Sequence, residues 1–537
     1  MSQVPGLSTE LLRAFAEPAA NASLRGILRG LEKESLRVTP QGTLAQSDHP
    51  RALGSALTHP HITTDYSEAL LEFITEPFAD VEPLLAQLDD IHRFTYQHLA
   101  ANQERLWPAS MPCTLGGDAQ IPVARYGSSN SGTMKTVYRV GLGHRYGRSM
   151  QTIAGIHYNF SLPDGFWLAL QQQSGDQQPL QDFKTQRYFG LIRNFRRNFW
   201  LLIYLFGASP AVSSCFVKNR NHKLQPFPAA EHTMYLPYAT SLRMGDLGYQ
   251  SDAQKSLVVN YNNLSDYLAT LCGGITQSYP AYEQIGVKDA QGNYQQLNTS
   301  LLQIENEFYS SIRPKRTTGR GETALQALRL RGVEYVEVRC VDLNPYEPLG
   351  ITQTQMQVMD AFLLYCLLSD SPPTDEREFY QGQENQKRIV NTGRDPALHL
   401  LRGEGEVAMR EWAGEILQGS MAAARLLDQA KGGSAHLQAV EQQQAKIHNP
   451  ELTPSAQVLR DMTAAGQSFY AHTLALAEQQ RAYFAQRPLS AQQQAEFAQM
   501  SQTSLQAQAA LEADQSLGFA EYLENYYAQY RGCRCAG

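Results

Sequence analysis

The sequence predicts an α+β protein in which an antiparallel sheet has one polar face and a mainly helical region follows. Two observations support this fold class. Five segments before residue 345 alternate apolar and polar residues, as strands with two different faces do. From about residue 352 onward the chain is rich in Ala, Gln, Leu and Glu, most of which favour helices. We therefore predict an α+β part over residues 1–370, which carries the chemistry, and a mainly helical part over residues 371–537 packed on it.

The first alternating segment is R-G-L-E-K-E-S-L-R-V, residues 29–38. As a strand it places Glu32 and Glu34 on the same face as Leu36 and Val38, so two like charges share one side. The other four segments are A-L-L-E-F-I-T (69–75), T-I-A-G-I-H-Y-N-F-S-L (152–162), L-L-Q-I-E-N-E-F-Y (301–309) and E-Y-V-E-V-R-C (334–340).

The polar positions of these five segments have an unusual composition. An ordinary solvated sheet face favours threonine, lysine and mixed charge, and it is the better interpretation of any one segment alone. Here the polar positions are mostly acidic, with Glu72, His157, Glu305, Glu307, Glu337 and Arg339 joining Glu32 and Glu34. Taken together, the five segments indicate a sheet whose second face forms an acidic cavity.

Apolar residues at helical spacing predict three helices in the first part of the chain, over residues 8–20, 79–102 and 186–206. The polar, proline-containing stretch 371–400 is predicted to be a connection. The most apolar run, residues 199–208, has about half of the ~20 residues that a membrane-spanning helix needs, so a buried helix is expected there.

Charge and cysteine content limit the classes of protein that fit. The 537 residues carry a net charge of −7, which offers no general attraction to nucleic acid or to a membrane surface. The N-terminal residues do not resemble a secretory signal. Seven scattered cysteines are not typical of a disulfide framework, so we expect a cytoplasmic protein with reduced thiols. The C-terminal Cys533-Arg534-Cys535 could bind a metal or form a redox pair, and a tail without function is the alternative.

An acidic cavity needs positive charge. Two carboxylates 4 Å apart repel each other by roughly 4 kcal/mol at an effective dielectric constant near 20. Either some of them are protonated or cations lie between them, and these ligands suit Mg²⁺ or Mn²⁺ better than zinc. Because magnesium usually accompanies phosphate, a nucleotide is expected. No G-x-x-x-x-G-K loop is present, so arginines must hold the phosphates; Arg139 and Arg339 are candidates, whereas Arg313 and Lys315 could equally be surface charge.

Several long motifs resemble those of bacterial glutamate–cysteine ligases of the gamma-proteobacterial type. The motifs include R-G-L-E-K-E-S-L-R-V, H-I-T-T-D-Y-S-E-A-L-L-E-F-I-T, I-A-G-I-H-Y-N-F-S-L-P, Y-A-T-S-L-R-M-G-D-L-G-Y, E-N-E-F-Y-S-S-I-R-P-K-R and V-E-Y-V-E-V-R. The similarity extends from about residue 24 to residue 350 and continues more weakly through the helical part. So many motifs in one order make the resemblance highly specific.

The resemblance implies a fold and an activity. The fold is a curved antiparallel β-sheet funnel of the glutamine-synthetase-like carboxylate–amine ligase type, flanked by helices. The activity is the ATP- and magnesium-dependent ligation of the γ-carboxylate of L-glutamate to the amine of L-cysteine through a γ-glutamyl phosphate. This is the first step of glutathione biosynthesis. The expected partners are these small-molecule substrates, with Mn²⁺ as a second possible metal and the chain acting as a monomer.

The resemblance also assigns roles to individual residues. It implies magnesium ligands at Glu32, Glu34, Asp65, Glu72, His157 and Glu337. It places Arg139 and Arg339 on the phosphates and Arg243 on the α-carboxylate of glutamate. It implies a cysteine pocket formed by Tyr66, Tyr138, Leu142, Gln151, Tyr249 and Tyr309.

Other interpretations of these residues and of the chain stay open at this point. Tyr66 departs from the family, in which phenylalanine is expected. Asp65 could merely be a turn residue or a helix cap, His157 could be a satisfied sheet histidine and the tyrosines could belong to the core. The chain could be a carboxylate–amine ligase with a different amine substrate, or a non-catalytic protein that senses a metal or a nucleotide.

Overall fold

The computed structural model describes residues 6–218, 220–248, 253–254, 257–514 and 516–534. A seven-stranded antiparallel sheet lies at its centre, with the strand order β2-β3-β1-β5-β10-β9 and with β4 beside one end of β1. Numbered along the chain, the strands of this sheet are β1 (Leu28–Val38), β2 (Ile62–Thr64), β3 (Leu70–Ile74), β4 (Arg105–Leu106), β5 (Ile156–Ser161), β9 (Ile312–Lys315) and β10 (Tyr335–Val341). A smaller sheet contains β6 (Ala211–Ser213), β7 (Gln225–Pro226) and β8 (Thr233–Tyr235), and β11 (His399–Arg402) pairs with β12 (Gly405–Ala408). The predicted α+β class with an antiparallel sheet is confirmed.

The register of the large sheet places the predicted polar residues on one face. Glu34 of β1 lies opposite Glu72 of β3, and Glu32 lies opposite His157 of β5. Glu337 of β10 lies opposite Asn159 on the far side of β5. Because directly paired residues in a sheet point to the same face, the acidic side chains of three strands converge on one surface.

Helices cover the rest of the chain. The helices of the first part are α1 (Thr9–Ala16), α2 (Pro18–Ala22), α3 (Val81–Leu99), α4 (Asn130–Tyr146), α5 (Asp164–Ser174), α6 (Leu180–Asn198), α7 (Trp200–Phe206), α8 (Ser214–Val217), α9 (Leu264–Thr276), α10 (Pro280–Ile285), α11 (Ala324–Arg331) and α12 (Gln353–Leu368). They are followed by α13 (Glu376–Thr392), α14 (Met409–Lys431), α15 (Ala435–His448), α16 (Pro454–Ala465), α17 (Phe469–Ala485), α18 (Ala491–Ala513) and α19 (Phe519–Ala528). None of the helices in the described ranges is both long and apolar enough to cross a membrane.

A buried polar network joins the apolar face of the sheet to the helices behind it. Arg29 of β1 and the hydroxyl of Tyr158 on β5 both bond Asp360 of α12, at 3.0 and 2.7 Å. His436 of α15 lies 3.7 Å from the same carboxylate and bonds Asp428 of α14 at 2.9 Å. Asp360 is fully buried. Its charge is therefore compensated by partners from both the sheet and the helices, as a buried charge requires.

One predicted strand is wrong. Residues 301–309 form a loop with a single 3₁₀ turn at Glu305–Glu307 instead of a strand. The buried carboxylate of Glu307 accepts hydrogen bonds from Arg145 and from the backbone N–H of Gln303. A side chain that bonds the backbone of its own segment competes with strand pairing, which explains why alternation alone was misleading here.

Three boundaries also differ from the prediction. The stretch 371–400 is not mainly a connection, because Asp375 caps the N-terminus of the 17-residue helix α13. The helix predicted over 8–20 is two helices, and the second begins at Pro18, where proline is well tolerated. The helix predicted over 186–206 is divided at Phe199 into α6 and α7. The division of the chain at residue 370 stays a prediction.

The thiols are only partly as expected. Cys113, Cys340 and Cys366 are buried free thiols, and Cys215 is an exposed one. Cys272 is disulfide-bonded, so the prediction of reduced thiols throughout is wrong. The side chains of the Cys533-Arg534-Cys535 tail lie outside the described residues.

We expect Asp360→Ala to lower the free energy of unfolding by about 3–5 kcal/mol, because it leaves the buried guanidinium of Arg29 without its counter-charge. Urea unfolding followed by circular dichroism measures the change. The matched control is Glu441→Ala, which removes an exposed carboxylate from α15 and should change stability by less than about 0.5 kcal/mol. Equal losses in the two variants would contradict a structural role for the network.

Candidate active site

A cavity of about 480 Å³ lies over the acidic face of the sheet. Its floor contains Glu32, Glu34, Glu72, His157 and Glu337. Its walls come from α4, from the segment between residues 304 and 322, and from α19. The cavity therefore brings together five of the six predicted metal ligands on its floor, from strands far apart in sequence.

His157 stands between two sets of carboxylates. Its Nδ1 lies 2.9 Å from Glu32, and its Nε2 lies 3.7 Å from Glu34. Glu32, His157 and Glu337 have ligand atoms within 4.8 Å of one another, and so do Glu34, Glu72 and His157. Imidazole and carboxylates at this spacing suit hard divalent cations, so the donor set fits the predicted metals. The role of His157 as a metal ligand stays a prediction that this spacing supports.

On one side of the floor, cationic side chains compensate the negative charge of the carboxylates. Glu337 accepts from Lys315 at 3.0 Å and from Arg339 at 2.9 Å. Burial by itself raises the pKa of Glu337, but Lys315, Arg339 and His157 outweigh it, and the pKa falls well below the ordinary value. Burial and the charge of Glu337 likewise raise the pKa of Glu32, yet its hydrogen bond with His157 and the charge of Lys315 leave it lowered. The neighbouring cationic side chains thus favour the charged forms of these two carboxylates.

The other side of the floor is under-compensated. Burial is the main cause that raises the pKa of Glu34, although its carboxylate accepts from the backbone N–H of Gly155 at 2.7 Å. Burial also raises the pKa of Glu72 well above the ordinary value, and the neighbouring charges of Glu32 and Asp65 add to the shift. Burial and the neighbouring carboxylates thus disfavour the charged forms of Glu34 and Glu72 more than the surrounding cationic side chains favour them.

Asp65 and Arg139 lie at the edge of this floor. Asp65 lines the same cavity but belongs to neither of the two close ligand sets. It lies in the turn between β2 and β3, so it is a turn residue as the alternative proposed, and it does not cap a helix. Arg139 of α4 donates to the backbone carbonyl of Asp65 and stacks over the ring of Tyr126, 4.6 Å from its centroid. Arg139 is thereby fixed beside the cavity.

Three basic side chains lie on the opposite side. Arg313 and Lys315 of β9 and Arg339 of β10 all line the cavity. Arg313 is only 8% exposed and donates to the backbone carbonyls of Asn306 and Phe308. The alternative in which Arg313 and Lys315 are surface charge is therefore wrong.

The residues predicted for the cysteine pocket also line the cavity, apart from one outside the described ranges. The lining members are Tyr66, Tyr138, Leu142, Gln151 and Tyr309, and Tyr249 lies outside the described residues. Gln151 donates to the hydroxyl of Tyr309 at 2.9 Å. The hydroxyl of Tyr66 is buried and has no hydrogen-bond partner within the described ranges. These side chains form one polar-aromatic wall.

Arg243 is placed differently from the other candidates. It is fully buried and lies behind the floor instead of lining the cavity. Its guanidinium donates to the backbone carbonyl of Arg339 at 2.8 Å and lies 3.7 Å from Asp342. A Cβ atom on Gly155 would come within 2.0 Å of Nη2 of Arg243. Only a glycine at position 155 lets this guanidinium approach the floor so closely.

Sequence reasoning missed a contribution from the C-terminal end of the chain. Tyr522 and Tyr526 of α19 line the cavity, as do Thr318, Gly319, Gly321 and Glu322 of the loop after β9. The spacing of the two tyrosines, four residues apart, places them on one helix face. That spacing was visible in the sequence, but nothing local indicated which part of the protein this face meets.

Comparisons with known proteins show the family. A family model described as glutamate–cysteine ligase matches residues 12–389. The chain belongs to the glutamate–cysteine ligase family. A glutamate–cysteine ligase from Saccharophagus degradans is 53% identical over 95% of this chain and 96% of its own, and one from Alcanivorax borkumensis is 51% identical over 96% and 98%. The crystal structure of a glutamate–cysteine ligase from Francisella tularensis in complex with AMP is similar with a TM-score of 0.88, at 36% identity over 94% of this chain and 98% of that one. The family predicted from the motifs is confirmed.

We expect Glu72→Gln to raise the free energy of unfolding of the metal-free protein by about 1 kcal/mol at neutral pH, because Glu72 must either carry a buried, repelled charge or take up a proton, and an amide does neither. A carboxyl group whose pKa is raised by folding destabilises the fold above its unfolded pKa and has no such effect below it. The advantage of the variant should therefore disappear as the pH falls to about 4.3.

Thermal unfolding in EDTA at several pH values measures this effect. Glu76→Gln is the matched control, because Glu76 is exposed just beyond the end of β3 and does not line the cavity. A Glu72→Gln variant that is less stable than the wild type at neutral pH would contradict the repulsion.

Proposed function

We propose that this chain ligates the γ-carboxylate of L-glutamate to the amine of L-cysteine, with ATP as co-substrate and Mg²⁺ or Mn²⁺ as the metal. Family membership supports the reaction class. The observation that carries the proposal is the floor itself, where two carboxylate sets share His157 and face Lys315, Arg313 and Arg339. Such a site is suited to a metal–polyphosphate complex, because it offers anionic ligands for the cations and cationic side chains for the phosphates.

Each part of the floor has a role in this proposal. Glu32 and Glu337 would hold one cation, and Glu34 and Glu72, with Asp65 at the edge, would hold another; His157 lies within reach of both groups and would ligate one of the two, because a neutral imidazole has a single lone pair. When bound, these ions reduce the repulsion between the carboxylate nucleophile and the phosphates of ATP. Cation binding would also supply the positive charge that Glu34 and Glu72 lack from the side chains around them.

The basic side chains act on the transferring group. Arg339 and Lys315 are held by Glu337 at the cavity wall, so their charges are positioned before the substrate arrives. An oxygen of the γ-carboxylate attacks the γ-phosphorus, the bond to ADP breaks, and an acyl phosphate forms. Arg339, with Arg139 from the other side, stabilises the charge on the phosphoryl oxygens, for which a planar guanidinium is well shaped.

The second half of the reaction uses the polar-aromatic wall. The cysteine amine loses a proton and attacks the acyl carbon, and the bond to phosphate breaks. Tyr66, Tyr138, Leu142, Gln151 and Tyr309 would hold the cysteine next to that carbon. The pocket differs from the family pattern in the hydroxyl of Tyr66, which is buried beside Gly143. Closure of this wall would keep water from the acyl phosphate.

We assign the α-carboxylate of glutamate to Arg243. Its guanidinium touches Gly155, whose backbone N–H in turn bonds the floor residue Glu34. Gly155 therefore separates Arg243 from the floor, where we place the reaction between the γ-carboxylate and the phosphate. Because Asp342 lies 3.7 Å from Arg243 and is buried, the substrate carboxylate would share this arginine with an internal one.

The competing functions predict different biochemical results. A ligase for another amine would release ADP with glutamate and that amine but not with cysteine. A metal or nucleotide sensor would release none. The wall of tyrosines and Gln151 around the floor favours a small polar amine over a large one. The monomeric state, the cytoplasmic location and the lack of nucleic-acid and membrane partners stay predictions.

We expect the wild-type protein to release ADP only when glutamate, cysteine and Mg²⁺ are all present, and Glu337→Gln to lower this turnover by orders of magnitude. The substitution removes a charge shared by the proposed metal site and by Lys315 and Arg339. A coupled ADP assay with several amines measures turnover, and Mn²⁺ electron paramagnetic resonance measures metal binding. Near-normal turnover and metal binding in Glu337→Gln would contradict the assignment of Glu337 as a metal ligand. Glu76→Gln is the control variant.

We expect Arg243→Lys to raise the KM for glutamate by about tenfold while leaving the KM for ATP nearly unchanged. Lysine keeps the charge but cannot make two parallel hydrogen bonds to a carboxylate. Arg329→Lys on the exposed side of α11 is the matched control and should change neither constant. A change confined to the KM for cysteine would contradict the role of Arg243.

A further inference from the structure

Two residues of α19 form part of one wall of the cavity. Tyr522 and Tyr526 of α19 line the cavity together with Met134 and Lys135 of α4. Both tyrosines also contact the small apolar cluster beneath them, which contains Met134 and Leu523. The two rings are therefore supported from behind and meet the open space of the cavity in front.

Side chains around α19 fix this wall to the other walls. Tyr527 donates to the carbonyl of Gln303 at 2.8 Å. Gln529 bonds both sides of the loop after β9, accepting from the N–H of Thr323 at 3.0 Å and donating to the carbonyl of Gly321 at 2.8 Å. Asn130, at the start of α4, donates to the carbonyl of Leu517 at 2.9 Å. The position of the two tyrosine rings is thus set by three separate parts of the cavity.

The loop held by Gln529 continues directly from the basic strand. β9 ends at Lys315, which bonds Glu337 on the cavity floor, and the cavity-lining residues Thr318 to Glu322 follow. No atom lies within 4 Å of a Cβ atom built on Gly321, so the loop leaves open space at this point. A polyphosphate held at Lys315 would therefore extend along this loop, with α19 forming the adjoining wall.

We propose that Tyr522 and Tyr526 bind the nucleobase of ATP by stacking, so that the C-terminal helix forms part of the nucleotide site. This inference rests on the proposed function, because it concerns the same site. In the proposed site the cationic side chains bind the phosphates, and the reacting carboxylate lies at the floor. The base needs a different surface, which is flat and apolar with a polar edge. Tyrosine rings provide such a surface, and stacking accepts the face of any base.

The cavity is large enough for this arrangement. Its volume of about 480 Å³ lies in the range of about 300–1,000 Å³ that is usual for small-molecule sites. If α19 binds the base, removal of the C-terminal segment that contains α19 would weaken nucleotide binding.

The test compares a ligand that has a base with one that has none. Isothermal titration calorimetry in the presence of Mg²⁺ measures the dissociation constants of ADP and of inorganic tripolyphosphate. The proteins compared are the wild type, Tyr522→Leu and Tyr526→Leu. Loss of one stacking surface should weaken ADP binding by about 5- to 150-fold. Tripolyphosphate binding should change less than twofold, because the cationic side chains remain. Tyr526→Phe should bind ADP like the wild type.

The control variant is Tyr380→Leu, which makes the same change at an exposed tyrosine of α13 that does not line the cavity. It should bind both ligands like the wild type. Unchanged ADP binding in both tyrosine variants would overturn the proposal, and so would an equal loss of ADP and tripolyphosphate binding, which indicates a distorted cavity. Wild-type turnover with glutamate and cysteine, measured in parallel, separates these results from a failure of the proposed function.

Discussion

Mutual repulsion between carboxylates on one sheet face is the constraint on which the rest of the site depends. Glu32, Glu34, Glu72 and Glu337 converge because β1, β3, β5 and β10 are paired in a fixed register. A shift of one residue in any strand would move its charge to the apolar face. The sheet therefore has to be held firmly, and the surrounding structure has to supply positive charge. The side chains around the floor compensate Glu32 and Glu337 more fully than Glu34 and Glu72.

The apolar face of the sheet shows how the register is held. Arg29 and Tyr158 belong to the same strands as Glu32 and His157 but point the other way, and both bond Asp360 of α12. The apolar face of β1 and β5 thus contacts the buried charge of Asp360, which has cationic and hydroxyl partners. The opposite face carries Glu34, whose charge is less well compensated. Because the partners of Asp360 come from both the sheet and the helices behind it, the helices fix the strands whose opposite face forms the cavity floor. The stability of the fold and the geometry of the floor are coupled through the same two strands.

The sequence predicted those parts of the fold and site that depend on local alternation. In β1, β3, β5 and β10 the alternation of side chains is a property of each strand alone, so the acidic face could be recognised before any pairing was known. Segment 301–309 alternates equally well, but distant Arg145 satisfies Glu307, and no local signal shows that. β9 was hidden by Pro314, which is tolerated because β9 lies at the edge of the sheet. The burial of Arg243 behind Gly155 is likewise a tertiary fact.

The C-terminal helix α19 is a further contact that local sequence signals do not predict. Residues 516–534 are far in sequence from the acidic strands and have a composition typical of an ordinary helical region, which gave no reason to connect them with chemistry. Their contacts with Gln303, Gly321 and Thr323 connect them to the loops around the cavity. The floor of the site is a property of the sheet, whereas its walls depend on where distant helices end. The cavity therefore takes side chains from both the α+β part and the helical part of the chain, and only the first of these contributions follows from local alternation.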